Sequence, residues 1–471
     1  MITFTIALIA LIAGYFIYGS YVERVFRPDA TRPTPAITQA DGVDFIAMPS
    51  WKIFMIQFLN IAGLGPIFGA IMGAKFGTAS YLWIVLGSIF AGATHDYLSG
   101  MLSIRNNGAS LPELIGKYLG TTTKQIMRGF TVLLMVLVGA VFVSGPAELL
   151  AKLTPDNLTL TFWATIVFLY YILATLLPID KIIGKIYPLF AIALLFMAIG
   201  ILTMLYWHHP NIPEITNLHS LKNIHPNGIP IFPMMFVSIA CGAISGFHAT
   251  QSPLMARCLT NERHGRPVFY GAMITEGIVA LIWAAAATYF FHNNGMEESN
   301  AAVIVNSITT EWLGAAGGLL AILGVIAAPI TSGDTAFRSA RLIAADFLHI
   351  DQKPISKRLL VSLPLFAIGF LILQMDFSIL WRYFAWCNQT LAVFTLWGIS
   401  VFLVKSRKNY LITLLPALFM TAVCTTYICI APEGLMLSPS LSYAIGGVCT
   451  LISLLWFIIW FRKQSTQYEK I

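Results

Sequence analysis

The stretch Ile231–Ser252, IFPMMFVSIACGAISGFHATQS, decides how the rest of the chain is read. It is long and apolar enough to cross a bilayer, which takes roughly 20 residues. Its middle, however, carries Cys241-Gly242-Ala243, then Ser245-Gly246, with His248 just beyond. Glycines weaken a helix at its centre, and inside a membrane a freed backbone group survives only where protein or a watery cavity satisfies it. The pattern predicts a broken helix lining a site. A second span, Trp51–Lys75, is interrupted in the same way at Ala62-Gly63-Leu64-Gly65-Pro66. Two interrupted spans in corresponding halves of a chain point to the binding site of a transporter.

The composition agrees. With 57% hydrophobic and 10% charged residues and a mean hydropathy of +0.77, the chain is a polytopic membrane protein rather than a soluble domain. Thirteen candidate spans are predicted, at about 2–20, 51–74, 79–103, 125–150, 160–178, 183–206, 231–252, 267–291, 313–337, 357–375, 378–404, 410–431 and 440–461. The first resembles a signal peptide, but no basic residue precedes it and no small-x-small cleavage site ends it, so it reads as a retained helix. The net charge of +7 is not a nucleic-acid footprint, because the basic residues sort by side. With the N terminus outside, 24 of the 28 Lys and Arg fall inside, from Arg24 through Arg105, Lys181, Arg257 and Arg358 to Lys470. Only Lys75, Lys152 and Lys222 fall outside, and Arg382 lies within a span. The positive-inside rule therefore supports thirteen helices with the C terminus, Ile471, inside. The six cysteines show neither a disulfide framework nor metal-ligand spacing, and no cofactor motif is present.

Between the first two spans, the polar segment Arg27–Pro49 reads as a cytoplasmic linker. The core that follows divides into five helices (51–206) and five more (231–404), ahead of two C-terminal spans (405–471). Five is odd, so the second set runs with opposite orientation, an inverted repeat. A short echo supports this: Phe58-x-x-Ile61-Ala62 matches Phe236-x-x-Ile239-Ala240, 178 residues on and just before each break.

Several runs carry a family likeness: RPTPAITQADGVDF, NIAGLGPIFGAIMG, GATHDYLSG, SIACGAISGFHA and TSGDTAFRSAR. From about residue 20 to 410 the chain resembles the carbon starvation protein A (CstA) family, as a short member. The resemblance implies uptake of pyruvate or small peptides in the bacterial cytoplasmic membrane, driven by protons, on a fold similar to the leucine-transporter type.

Charges inside spans are costly and usually face a cavity. Asp96, beside His95, reads either as a coupling carboxylate or as the partner of Arg105. Glu276 lies nine residues into its span and is the first choice for the coupling carboxylate. Asp334 belongs to Thr331-Ser332-Gly333-Asp334-Thr335; it forms either an i,i+4 salt bridge with Arg338 or, with its hydroxyl neighbours, an oxygen-lined cation site. That position resembles the one where leucine-transporter-like proteins hold a cation. His248 can change charge near neutral pH. Glu148 reads as structural, while Asn388 and Gln389 either pair with a neighbouring helix or contact substrate.

Backbone enters the argument too. The half-helices beginning near Pro66 and past Gly246 both aim N-terminal ends at the midplane, where free N–H groups and partial positive charge suit a carboxylate. Gly63, Gly65, Pro66, Gly242, Ser245, Gly246 and His248 are the expected substrate-binding residues; Asp96, Glu276, Thr331, Ser332, Asp334 and Thr335 are the expected ion-coupling residues. Bulk at Gly65 or Gly242 is expected to matter more than bulk at Gly87 or Gly446, which lie in spans without a break. The leading reading is a secondary transporter in the lipid bilayer, carrying a small carboxylate or peptide with a proton, or in the alternative with sodium. A hydrolase or metalloenzyme lacks H-E-x-x-H, G-x-S-x-G and Cys/His spacing. A channel lacks a filter signature, and a nutrient sensor lacks a soluble signalling domain.

Overall fold

A bilayer offers no water to peptide groups, so regular structure within it must be helical or a closed barrel. In the computed structural model, which describes residues 1–176, 183–296 and 300–468, every regular element is helical. Lys181, Lys470 and Ile471 lie outside the described residues. α1 (Ile2–Phe16) runs almost directly into Tyr18–Phe26. α2 (Ser50–Ile61) and α3 (Ala93–Arg105) flank the first break, and α4 (Thr121–Leu153), α5 (Leu160–Leu176) and α6 (Ile183–His208) complete the first half. After the second break come α7 (His248–Ala256), α8 (Gly271–Asn294), α9 (Ala301–Leu348), α10 (Ile355–Ile372) and α11 (Phe377–Lys405). α12 (Leu411–Ile430) and α13 (Pro439–Tyr468) end the chain. Eight helices among the described residues are long and apolar enough to span a membrane, or nine if one bent pair is a single span.

That bent pair is the first predicted break. Ala62 leaves the helical region at φ −80°, ψ 45°, Pro66 removes an N–H, and Gly65–Ala74 restarts at 53° to α2. The second break is longer. Ile239 leaves the helix at φ −92°, ψ 52°, and regular helix resumes only at His248. The two broken elements run antiparallel and touch along their length. The Met48 amide donates to the Cys258 carbonyl (3.2 Å), Gln57 Nε2 donates to Ser252 Oγ (3.3 Å), and Gly65 lies directly against Cys241.

Around this pair, α9 packs chiefly on α4, and α7 on α3. Apolar side chains turned away from the bundle, such as Ile2, Ile6 and Ile9 on α1 and Leu451, Leu455 and Trp456 on α13, are exposed and suit lipid contact.

Several details differ from the sequence expectations. The ninth span begins well before 313: Asn300 Oδ1 caps α9 by accepting from the Ala302 and Val303 amides, and the helix then bends at Gly314 (φ +66°). The 27–49 segment is partly inserted into the protein, with Thr34, Ala36 and Asp44 buried. Asp41 Oδ1 accepts from the amides of Val43 (2.8 Å), Asp44 (3.0 Å) and Phe45 (2.9 Å), a tight turn that aims Asp44 inward. There it meets Arg338 at 3.6 Å and Arg341 at 3.5 Å. Burial alone would push the Asp44 carboxyl up, but the guanidiniums of Arg341, Arg338, Arg257 and Arg358 together hold it below its ordinary value. Of the two alternatives for Asp334, the i,i+4 bridge is not the one seen: Arg338 faces Asp44, while Asp334 accepts from the Tyr187 hydroxyl. A Cβ on Gly87 would lie 2.7 Å from Ala243 Cβ and one on Gly446 2.0 Å from Thr426 Oγ1, so these unbroken helices are closely packed there as well.

Candidate functional site

The packing of α7 on α3 brings together charges far apart in sequence. Asp96 lies between two imidazoles, with Oδ1 2.7 Å from His95 Nδ1 and Oδ2 2.9 Å from His248 Nδ1. On the other side of His248, Nε2 faces Glu276 Oε2 of α8 at 3.4 Å. All four side chains are fully buried. An ionised Asp96 can only accept, so each imidazole donates its Nδ1–H to it, and Nε2 of a neutral His248 is left as an acceptor. A bare acceptor facing an ionised carboxylate in a dry core is repulsive, and an unpaired buried charge is costly. One proton resolves the conflict, carried either by Glu276 or by His248 Nε2. Arg105, the alternative partner for Asp96, instead binds Glu262 (Nη2 to Oε2, 2.9 Å).

A second group of predicted residues gathers where the first break meets α9. Ser332 Oγ donates within 3.1 Å of the Leu59 carbonyl and 3.0 Å of Ala328 O, and a Cβ on Gly63 would lie 3.2 Å from the same hydroxyl. Thr331 and Thr335 turn their hydroxyls onto carbonyls of α9 one turn back. Tyr187 of α6 donates to Asp334 Oδ2 at 2.6 Å. Oxygens of this kind suit a hard cation.

The third group is the second break itself. Ser245 hydrogen-bonds with the Asn388 side chain, whose Oδ1 accepts the Phe247 amide at 2.6 Å. The Asn388 carbonyl accepts the Gly246 amide at 3.1 Å, and Gln389 Nε2 donates to the Ile244 carbonyl at 3.0 Å. A Cβ on Gly246 would lie 2.4 Å from Asn388 O, and one on Gly242 would lie 2.6 Å from Ala280 Cβ and 3.7 Å from Pro66 Cα. These glycines permit close approach of packed protein. Four of the amides at the half-helix starts are occupied in this conformation: Gly246 and Phe247 donate to Asn388, and Ile67 and Phe68 donate to the Leu64 carbonyl.

Residues that the sequence reading left unassigned now have positions. His95 completes the Asp96 clamp, Asn388 pins the second break, and Tyr187 holds Asp334. Asn60, on α2 just before the first break, is fully buried with neither amide atom hydrogen-bonded to protein. A carboxamide in an apolar span was the available signal for Asn60 and Asn388. Glu148 bonds Lys152 and Asn300 away from this core.

The family model for carbon starvation protein CstA matches residues 1–161 and 147–312. The chain belongs to the CstA family. It is a multi-pass membrane protein of a family of secondary transporters, not an enzyme. CstA-family relatives include an uncharacterized membrane protein of Haemophilus influenzae, 45% identical over 60% of this chain and 89% of that one. The peptide transporter CstA of Campylobacter jejuni is 29% identical over 57% of this chain and 47% of its own length. The pyruvate/proton symporter BtsT of Escherichia coli is 27% identical over 58% and 46%. The aligned part thus spans about half the length of these two named transporters. Among solved structures, a manganese transporter of Eremococcus coleocola superposes with a TM-score of 0.57 over 90% of this chain and 99% of that one, at 13% identity. Mhp1, a nucleobase-cation-symport-1 family transporter, gives 0.54 over 88% and 93%, at 15% identity. Both likenesses are of fold.

Proposed function

We propose that this CstA-family chain imports pyruvate or a small peptide across the bacterial cytoplasmic membrane during carbon starvation, coupled to a proton held by the His248–Glu276 pair. The carrying observation is that pair: an imidazole anchored by Asp96 on one nitrogen, with the other 3.4 Å from a buried carboxylate. Such a pair binds or releases one proton as its surroundings open to water. The named relatives supply the substrate class, peptide in one case and pyruvate with a proton in another. Gly63, Gly65, Pro66, Gly242, Ser245, Gly246 and His248 form the cargo site in this reading, at the contact between the two breaks. Asp96 and Glu276 serve the proton.

The architecture proposed with it is thirteen spans around a leucine-transporter-like five-plus-five inverted repeat, N terminus outside and C terminus inside. Three observations support it. Each predicted span has helical segments at its place, including those too short or too bent to count by length alone, such as Ala79–Leu86 with α3, and Ile231–Met235 with α7. The two broken elements are antiparallel, as an inversion requires. Both solved structures of similar fold cover nearly the whole chain.

Sodium coupling is the second reading, favoured by one feature. Ser332 Oγ and the Leu59 carbonyl sit 3.1 Å apart beside the break, next to Thr331, Thr335 and Asp334. The experiment that separates the readings is uptake of labelled pyruvate and of a labelled dipeptide into proteoliposomes under an imposed proton or sodium gradient. Under a proton gradient, Glu276→Gln should abolish accumulation and preserve equilibrium exchange. Normal accumulation in Glu276→Gln, with loss in Ser332→Ala under a sodium gradient, would move the coupling site to α9.

A further inference from the structure

Two buried asparagines lie in this core and they are used very differently. Asn388 is saturated: Oδ1 accepts the Phe247 amide and Nδ2 reaches Ser245 Oγ at 2.9 Å. Asn60 is as deeply buried, yet neither Oδ1 nor Nδ2 has a hydrogen-bond partner in the protein. Burying an amide without partners is unfavourable, so a purely structural role for Asn60 leaves a cost with nothing to offset it.

Its place in the register supplies the second observation. Met48 meets Cys258, Gln57 meets Ser252, and Gly65 meets Cys241 along the antiparallel broken elements. Those pairs set Asn60 at the level of residues 246–249, where α7 begins, one helical turn from Gln57 toward the break. On the same two elements Gln57 Oε1 and Gln251 Oε1 are also buried without a hydrogen-bond partner, and His248 Nε2 has only Glu276 Oε2 at 3.4 Å. Side-chain atoms without a hydrogen-bond partner are thus present on both broken elements, while the Gly246 and Phe247 amides are taken up by Asn388.

We infer that Asn60 is a cargo-contacting residue, and that it recognises a group presenting both an N–H and an oxygen. The inference rests on the transport reading above and assigns one of its binding contacts. A carboxamide offers two donors and one acceptor. Ionised pyruvate carries oxygens only and can engage Nδ2 while leaving Oδ1 bare. An amide or amine-bearing cargo engages both. A site built to hydrogen-bond a donor discriminates strongly against an analogue that lacks it.

The test uses the full chain with two probes, dialanine and pyruvate, comparing wild type with Asn60→Leu and Asn60→Asp. Asn60→Leu should melt at or above the wild-type temperature, because it removes an unpaired buried amide at similar volume. It should also bind dialanine at least about tenfold more weakly, and lose the preference of the wild type for dialanine over pyruvate. A lower melting temperature with unchanged dialanine affinity makes Asn60 a structural residue and overturns the assignment. Equal affinity in wild type and both variants overturns it as well, whatever their stability, and a wild type that prefers pyruvate overturns the donor-plus-acceptor class. Wild-type proteoliposomes that take up neither solute refute the transport reading and this contact together, whereas normal wild-type uptake unaffected by Asn60→Leu refutes the contact alone.

Discussion

The contact between the two breaks makes a quantitative prediction at Gly65. A Cβ there would sit 2.1 Å from Cys241 Cβ and 2.4 Å from its Sγ, while the next atom, Cys241 Cα, is 3.5 Å away. In Gly65→Ala the chains must separate by more than about 1 Å to reach ordinary contact, and overpacking of a tight core costs about 1–3 kcal/mol. Gly447, within α13, has nothing within 4 Å, so Gly447→Ala gains helix propensity of up to ~1 kcal/mol with no clash. The two substitutions should differ by roughly 2–4 kcal/mol in stability. The clash is with one side chain only. Cys241→Gly removes both offending atoms, so the double variant Gly65→Ala with Cys241→Gly should lose less than the two single losses combined, with a coupling of about 1 kcal/mol or more. Tryptophan-fluorescence melting of the purified protein reads stability, and proteoliposome uptake reads whether the interface matters for transport. If Gly65→Ala melts like Gly447→Ala, or if the cycle shows no coupling, the two breaks do not touch as described and the proposed cargo site loses its floor.

Two further outcomes are expected. Asp44→Ala removes the carboxylate that Arg338 and Arg341 both face, and breaking a buried ion pair from one side costs about 3–5 kcal/mol, to be read as lost melting temperature. Because the Asp44 carboxyl is held below its unfolded value, its contribution is fully present above about pH 4 and is lost only as pH falls through the depressed native value. The stability difference between wild type and Asp44→Asn should therefore stay flat from about pH 5 to pH 8; a steady decline across that range would contradict the pairing. For topology, single cysteines introduced at Asn217 and Asn294 should react with an impermeant maleimide from the periplasmic side, and one at Ser406 only from the cytoplasmic side. Labelling of Asn217 and Ser406 positions from the same face would overturn the thirteen-span orientation.

What was legible in the sequence was what depends on neighbours in the chain. Glycines beside Pro66, and glycines spaced through 242–246, disfavour helix wherever they are put, so both breaks could be located before any contact was known. Asp96, Glu276 and His248 stood out because a titratable group in an apolar span is expensive in any fold. Their meeting was not legible: Asp96 and His248 are 152 residues apart, and nothing local says that α7 packs on α3. The misreadings have the same origin. Residues 27–49 look like a linker because polar composition ordinarily means solvation, and the arginines that draw Asp44 inward lie some three hundred residues away. Asp334 and Arg338 satisfy the helical spacing for a salt bridge, yet spacing permits a pair without selecting it, and Asp44 and Tyr187 offered competing partners. Nor does the sequence show which freed amides find a partner: Asn388, on an element 140 residues later, takes up those of Gly246 and Phe247. Side chains without a hydrogen-bond partner, Asn60 among them, stand beside these breaks. If cargo binds there, its recognition passes through Asn60, His248 and Glu276, and the proton and the cargo share a boundary at His248, whose free nitrogen faces one and whose helix start borders the other.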